Sequence, residues 1–355
     1  MTIETLWYTR CPAPTAASVA IREGWLAAEF EPDGIAVRSL ASSHDQSVHL
    51  SHYTHSQPNS FRFGGYVPPL IAASRGAELR ILGISWPDRS AAVFTLADSG
   101  IRSAAQLRGR RFAVPKRMHD SVDWWRALVL AGFDNALRVA GLERNDVELV
   151  DIEVHKPYVA DASAGQAAGQ SLWGARSQFA VQRDEIVALL RGQVDVIFSD
   201  AAMGALVSAF LGLHPVIDLT APEETGDVRN GQPLLLTASG TLIEQRPDLV
   251  DRWLARLLDA DAWAREHAER VTQIVAQDTG LPEDFVAAAY SARVHRQLDL
   301  SLAPLRLAML KDKYDGLLRH GFLARPLELD TIVDPAPLQR ARELHAQRHR
   351  LDRAS

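Results

Sequence analysis

At 355 residues the chain exceeds the length at which a single hydrophobic core usually stops growing, so two lobes are expected. Hydrophobic residues make up 47% and charged residues 23%, which excludes an intrinsically disordered chain. A net charge of −6 argues against nucleic acid or an anionic membrane as partner, and no apolar run is long enough to span a bilayer. A small molecule is the expected partner.

The amino end, Met1-Thr2-Ile3-Glu4-Thr5-Leu6, has no basic region, apolar core or small-residue cleavage site of the secretory kind. Cys11 is the only cysteine, so no internal disulfide signals an oxidising compartment. A cytoplasmic monomer is the expectation.

Residues 6–9 read as a first strand and 15–30 as one amphipathic helix, with Val19, Ile21, Trp25, Leu26 and Phe30 on its apolar face. Residues 34–40 read as a second strand, and strand, helix, strand implies a parallel α/β sheet. The histidine-rich stretch that follows reads as a loop. Pro68 and Pro69 suit the first turn of a helix ending near Gly76, and residues 79–84 and 91–96 are the next strands. Residues 103–114 read as a short helix, a turn and a buried strand that open a second lobe. There follow a helix over 122–131, capped by Asp120 or Ser121, a strand over 147–154, and an Ala-, Gly-, Ser- and Gln-rich cover over 156–178. Helices over 183–190 and 203–211 alternate with strands over 195–199 and 215–219. A polar crossing over 222–232 leads to a strand at 233–238, and residues 246–269, 284–292 and 302–320 are helical by periodicity. The charged tail from Arg340 reads as a solvated helix.

Residues 1–96 with 233–355 then form lobe one, and 97–232 form lobe two. Two α/β lobes joined by two crossings are the layout of the type II periplasmic-binding-protein fold, with the ligand cleft between the lobes and against helix N-termini.

The chemistry concentrates between Cys11 and Gly65. Cys11-Pro12-Ala13-Pro14-Thr15 places a thiol just before a helix, where the positive end of the macrodipole favours the thiolate. Downstream lie His49, His52 and His55, then Arg62-Phe63-Gly64-Gly65. A thiol, an imidazole, a guanidinium and free backbone amides form a kit for cleaving an anionic substrate. Blander roles exist for each: a small buried hydrophobe for Cys11, a surface ion pair for Arg62, solvated loop residues for the histidines, a tight turn for Gly64 and Gly65. A spacing of three would align His49, His52 and His55 as metal ligands on a helix, but Pro58 and the loop-like composition argue against that helix, so no metal is expected. Trp124, Trp125, Tyr66, Trp86 and Phe198 are candidate walls for an aromatic ligand or else core residues.

Cys11-Pro12-x-Pro14, Gln57-Pro58, Arg62-Phe63-Gly64-Gly65 and Pro68-Pro69-Leu70 resemble the active-site segments of the 2-hydroxybiphenyl-2-sulfinate desulfinase family of dibenzothiophene desulfurisation. The resemblance continues through Leu107-Arg108-Gly109-Arg110-Arg111, Gly192-Gln193-Val194-Asp195, Pro215-Val216-Ile217-Asp218-Leu219 and Arg246-Pro247-Asp248-Leu249-Val250. It spans most of the chain. It implies a catalytic cysteine, histidine and arginine at Cys11, His52 and Arg62, with the amide of Gly65 facing the sulfinate. The segment between Cys11 and Arg62 is longer than the family's, which leaves His49 as the alternative match to the histidine.

On that resemblance Arg62 grips both sulfinate oxygens and the Gly64 and Gly65 amides add hydrogen bonds, while His49, His55, Tyr66, Trp124 and Phe198 complete the substrate pocket. Either the Cys11 thiolate attacks sulfur while His52 protonates the departing carbon, or Cys11 itself protonates that carbon. Neither route requires a metal or cofactor. The implied function is a cofactor-independent desulfinase for an organic, aryl sulfinate, with a flavin monooxygenase system upstream. The alternative is a non-catalytic substrate-binding protein of a transporter for a sulfonate, nitrate or thiamine-precursor-like anion.

Overall fold

The computed structural model describes residues 3–156, 181–220 and 231–352. Its ten described strands are β1 (Thr5–Arg10), β2 (Ala36–Ser39), β3 (Ser60–Gly65), β4 (Leu79–Ser85), β5 (Ala91–Thr95), β6 (Arg111–Arg117), β7 (Glu148–Val154), β8 (Ile197–Asp200), β9 (His214–Asp218) and β10 (Leu234–Ser239). One sheet has the order β2-β1-β3-β10-β4, with β1 parallel to β2 and β3, and β10 antiparallel to β3 and β4. The other side of the molecule carries β8-β5-β9 and the parallel pair β6-β7, joined by a bridge between Phe112 and Val196. Every residue of β10 is buried, as suits a strand flanked by neighbours and covered on both faces. The chain thus returns after the second lobe to complete the first sheet, and the architecture is a two-lobed α/β fold.

The sheet pairing revises the first lobe boundary. β5 was expected in lobe one, but it pairs with β8 and β9, so the chain crosses between the lobes over residues 86–90. The predicted helix over 15–30 is two helices, α1 (Ala16–Arg22) and α2 (Trp25–Phe30), broken at Gly24, whose φ of +76° no longer propagates a helix. The helix over 246–269 likewise divides into Pro247–Ala264 and Ala268–Thr279.

The histidine-rich stretch is α3 (Gln46–Thr54), not a loop. Asp45 caps it by accepting from the Ser47 amide at 2.8 Å, and His55 ends it in the left-handed region at φ 55°. Next come β3 and α4 (Val67–Ser74), which begins with Pro68 and Pro69 in its first turn. In β3, Phe61 and Phe63 point to one face and Arg62 and Gly64 to the other, the period of two that defines a strand. Phe61 stacks on Trp253 with ring centroids 4.3 Å apart.

The carboxyl-terminal helix Ala336–Asp352 is not merely solvated. Leu338 and Ala341 are buried, and Arg340 pairs with Asp251 at 2.7 Å on the helix Pro247–Ala264. The helix Pro304–Arg319 carries Leu310, Tyr314 and Leu317 into the core shared with the second lobe. The cover over 159–178 and most of the crossing over 222–232 lie outside the described residues. Among the described residues no helix is long and apolar enough to cross a membrane.

Candidate active site

Cys11 follows β1 directly, and its amide donates to the Phe63 carbonyl at 3.0 Å, tying the residue to the end of β3. The polar neighbour of its sulfur is Arg62, whose Nη2 lies 3.8 Å from Sγ. The helix start is a lesser feature than the sequence implied: α1 begins only at Ala16, and Thr15 already caps it by accepting from the Ser18 amide at 3.1 Å. A Cβ placed on Gly64 would come within 2.3 Å of Sγ, so Gly64 leaves the groove in which the thiol lies.

Thr9, Arg62 and Thr237 are register partners across β1, β3 and β10, forming a buried row beneath α3. Arg62 is 3% exposed and donates from Nε to the His52 carbonyl at 3.1 Å and from Nη1 to the Gly65 carbonyl at 3.0 Å. Burial lowers its pKa below the ordinary guanidinium range, with Cys11 and Tyr53 opposing the shift, and no carboxylate pairs with it among the described residues. A buried guanidinium held by carbonyls and a thiol is poised for an anionic ligand.

The imidazole of His52 shares a 2.8 Å hydrogen bond between Nδ1 and Thr9 Oγ1. Burial, then the charge of Arg62 and His55, holds its pKa well below 6.5, so the ring is neutral. His55 hydrogen-bonds Thr237 Oγ1 through Nε2 at 3.3 Å, and burial of the ring with Arg62 nearby pulls its pKa down to about 3. His49 Nε2 instead binds the Ser43 carbonyl at 2.8 Å. The three imidazoles therefore hold three separate partners and do not converge as metal ligands.

Cys11, His52, Arg62 and Gly65 line a single cavity enclosing about 880 Å³ of empty space out to its mouth, walled by Trp124, Trp125 and Leu128. Trp125 is fixed by donation from Nε1 to Glu185 at 2.7 Å. Five expected contacts fall elsewhere. His49 and His55 face backbone and Thr237, Gly64 packs on the thiol, and Tyr66 is buried beside Ala127 and Asp134. Phe198 lies behind Trp125 and against Gly132, a core position. Strand and helix faces, not aromatic identity, decide which rings reach the cavity.

Sequence reasoning missed Arg89, Asp200, Gln232 and Tyr290, which line the same cavity. Arg89 Nη2 pairs with Asp200 Oδ2 at 2.9 Å, and Gln232 Nε2 donates to the same oxygen at 2.7 Å. Arg89 and Gln232 stand on the two crossings between the lobes and Asp200 ends β8, so no local motif could have joined them.

Two consequences follow from this geometry. At Gly65 a Cβ would meet no atom within 4 Å and would project into open space, whereas at Gly64 it would collide with Sγ. Gly65→Ala should therefore keep the wild-type melting temperature and lose ligand affinity, while Gly64→Ala should slow alkylation of Cys11 by iodoacetamide and lower the melting temperature; equal behaviour of the pair would contradict the arrangement.

The second concerns acid. The unfolded chain protonates both imidazoles below about pH 6.5, whereas folded His52 and His55 resist protonation, His55 down to about 3. The unfolded state then binds more protons, so stability falls as pH drops below about 6.5, by up to roughly 1.4 kcal/mol per pH unit for each histidine. Urea unfolding between pH 7 and 5 checks this, and His52→Gln should reduce the slope by about one proton.

No family model matches the chain. Among curated proteins, the 2'-hydroxybiphenyl-2-sulfinate desulfinase of Rhodococcus erythropolis is 31% identical over 362 aligned residues, covering 96% of this chain and 94% of the relative. Among solved structures, a cysteine-to-serine mutant of the desulfurization enzyme DszB in complex with biphenyl-2-sulfinic acid superposes with a TM-score of 0.75 at 29% identity, over 96% of this chain and 99% of that one. The periplasmic aliphatic sulphonate binding protein SsuA from Escherichia coli gives 0.64 at 16% identity over 94% and 92%, a likeness of fold alone.

Proposed function

The chain belongs to the 2'-hydroxybiphenyl-2-sulfinate desulfinase family, and from that premise we propose that it hydrolyses the carbon–sulfur bond of an aryl sulfinate with Cys11 as nucleophile, Arg62 as anion clamp and His52 as proton donor. The observation that carries the reading is the buried Arg62 guanidinium, unmatched by a carboxylate among the described residues and 3.8 Å from the only thiol of the chain.

A sulfinate bound by Arg62 brings its sulfur beside Sγ. Attack by the thiolate forms a sulfur–sulfur bond and breaks the carbon–sulfur bond, whose electron pair passes to the aryl carbon. That carbon needs a proton. The Nδ1–Thr9 bond allows the tautomer in which the Thr9 hydroxyl donates and Nε2 carries the ring proton, and it is this tautomer of neutral His52 that supplies the proton to the carbon. Water then cleaves the sulfur–sulfur bond, its oxygen going to sulfur with one proton and its other proton returning to His52 Nε2, so sulfinate and water become arene and hydrogen sulfite, and the thiolate is restored. Trp124 and Trp125 are flat apolar walls for the ring that leaves.

A transport-type binding protein would need the clamp but not a thiol in a groove kept clear by a glycine. The crystal complex of the relative with biphenyl-2-sulfinic acid supports an aryl sulfinate as the substrate class. A reduced cysteine at the reacting position suits the cytoplasm. Sulfinates arise by stepwise oxidation of sulfur, which supports an oxygenase, such as a flavin monooxygenase system, acting before this step.

The test is sulfite release from biphenyl-2-sulfinate and from an alkyl sulfinate. Sulfite from the aryl compound is expected; calorimetric binding of it with no sulfite released would overturn the enzyme in favour of the binding protein.

A further inference from the structure

We propose that Asp259, His345 and His349 form a binding site for a zinc-type divalent cation that clamps the carboxyl-terminal helix to the helix Pro247–Ala264. The three residues lie outside the lining of the Cys11 cavity, and their reading stands independently of the desulfinase chemistry.

Helix packing brings the three together. Asp251 pairs with Arg340, and eight residues further along both helices Asp259 pairs with Arg348 at 3.4 Å, so Pro247–Ala264 and Ala336–Asp352 run parallel and in step. Leu338 and Ala341 bury the inner face of the carboxyl-terminal helix, and His345 and His349 continue it, one turn apart. Two histidines four residues apart on one helix are a spacing that holds zinc.

The side chains converge on one oxygen. His345 Nδ1 lies 2.6 Å from Asp259 Oδ1 and His349 Nε2 lies 3.6 Å from the same atom, with the imidazole centroids 4.4 Å apart. All three ligand atoms fall within 4.8 Å of one another. Ligand atoms about 2.0–2.1 Å from a tetrahedral zinc sit about 3.3 Å from each other, so the His349 edge already fits and the His345 edge has to open by less than about 1 Å. At 3.6 Å the His349 contact is too long for a hydrogen bond, so the ring is aimed at a carboxylate oxygen that it does not bond. A cation seated among the three atoms converts that approach into coordination.

The surrounding charges allow a dication. Asp259 Oδ2 turns to Arg256 Nη1 at 3.2 Å and Arg348 Nη1 at 3.4 Å, leaving Oδ1 to the imidazoles. Glu29 binds Arg256 Nε at 2.6 Å, Arg252 Nε at 2.7 Å and Arg348 Nη2 at 2.8 Å, and Arg252 also pairs with Asp33. Three guanidiniums therefore face three carboxylates, Glu29, Asp33 and Asp259, and no net positive charge is left to repel the ion. Arg256 and Arg348 then serve as the outer partners that orient a ligating carboxylate. Imidazole nitrogens select zinc, copper or nickel, whereas magnesium and calcium take oxygen ligands. His349 is half-exposed, which gives the ion an entry path and lets water complete the tetrahedron.

The experiment titrates zinc by calorimetry into the tag-free Cys11→Ser chain, which removes the thiol as a competing ligand, and into the same chain carrying His349→Gln. Cys11→Ser should bind one zinc, and His349→Gln should weaken that binding by at least about 10-fold, the smallest cost of disturbing even a ligand's outer partner. Zinc should raise the melting temperature of the first chain and leave that of the second unchanged, while magnesium moves neither. Replacing the half-exposed His349 leaves the core intact, and His345→Gln should repeat the loss. No zinc bound by Cys11→Ser, equal zinc affinity with and without His349, or an equal response to magnesium overturns the proposal.

Discussion

Cys11→Ser should lower sulfite release by a factor on the order of 10⁴ or more, the loss expected when an enzyme's nucleophile is removed. The groove left by Gly64 accommodates the smaller oxygen, and Arg62 keeps its bonds to the His52 and Gly65 carbonyls, so the sulfinate should still bind with near wild-type affinity. A serine hydroxyl beside the guanidinium is a much weaker nucleophile than a thiolate, and among the described residues the neighbouring base, His52, is tied to Thr9. The variant thus separates binding from chemistry. Calorimetry should give an unchanged dissociation constant while the sulfite assay reads near background. A rapid quench of wild type should reveal chain carrying one added SO₂ on Cys11. Absence of that adduct with loss of activity in the serine variant would assign Cys11 to protonating carbon instead. Serine retaining a tenth of the activity would remove Cys11 from the chemistry.

What the sequence disclosed and what it hid follow from the range of the interactions. Cys11-Pro12-x-Pro14 and Arg62-Phe63-Gly64-Gly65 are short segments whose roles depend on neighbours in the chain, and both reach the cavity. The strand that carries Arg62 was not read from the sequence: its Phe, Arg, Phe, Gly alternation is short and was obscured by the polar residues before it. α3 was not legible, because Gln46–Thr54 lacks an apolar stripe; it folds through the Asp45 cap and by burying His49, His52 and Tyr53 on different neighbours. Tyr66 and Phe198 looked like cavity walls by type alone, and only the face each element presents sends them to the core. Arg89, Asp200 and Gln232 come from three distant segments, and tertiary folding alone assembles them. The lobe boundary was misplaced by one strand for a similar reason: pairing of β5 with β8 and β9 is a long-range choice.

The position of Cys11 also rests on an interaction far along the chain, and its removal should have the largest effect on stability. Arg10 immediately precedes Cys11 and is 1% exposed; Nη1 and Nη2 bind Asp278 Oδ2 and Oδ1 at 2.6 and 2.8 Å. Arg22 from α1 adds a bond from Nη2 to Oδ1 at 2.7 Å. One buried carboxylate therefore fixes the end of β1 and the helix after the Cys11 loop to the helix Ala268–Thr279. Asp278→Asn keeps the shape but strands two guanidinium charges, one of them fully buried, and the expected cost is about 3–5 kcal/mol. Chemical denaturation should report that loss. The double variant Arg10→Met with Asp278→Asn should be more stable than the single one, because no fully buried charge is then left unpaired. Activity separates support from packing. If the pair only stabilises the lobe, the double variant should recover wild-type turnover along with stability. If the ion pair sets the angle at which β1 presents Cys11 to Arg62, stability should return while turnover stays low. The adjacency of Arg10 to Cys11, with the Cys11 amide already held by β3, makes the second outcome the expected one.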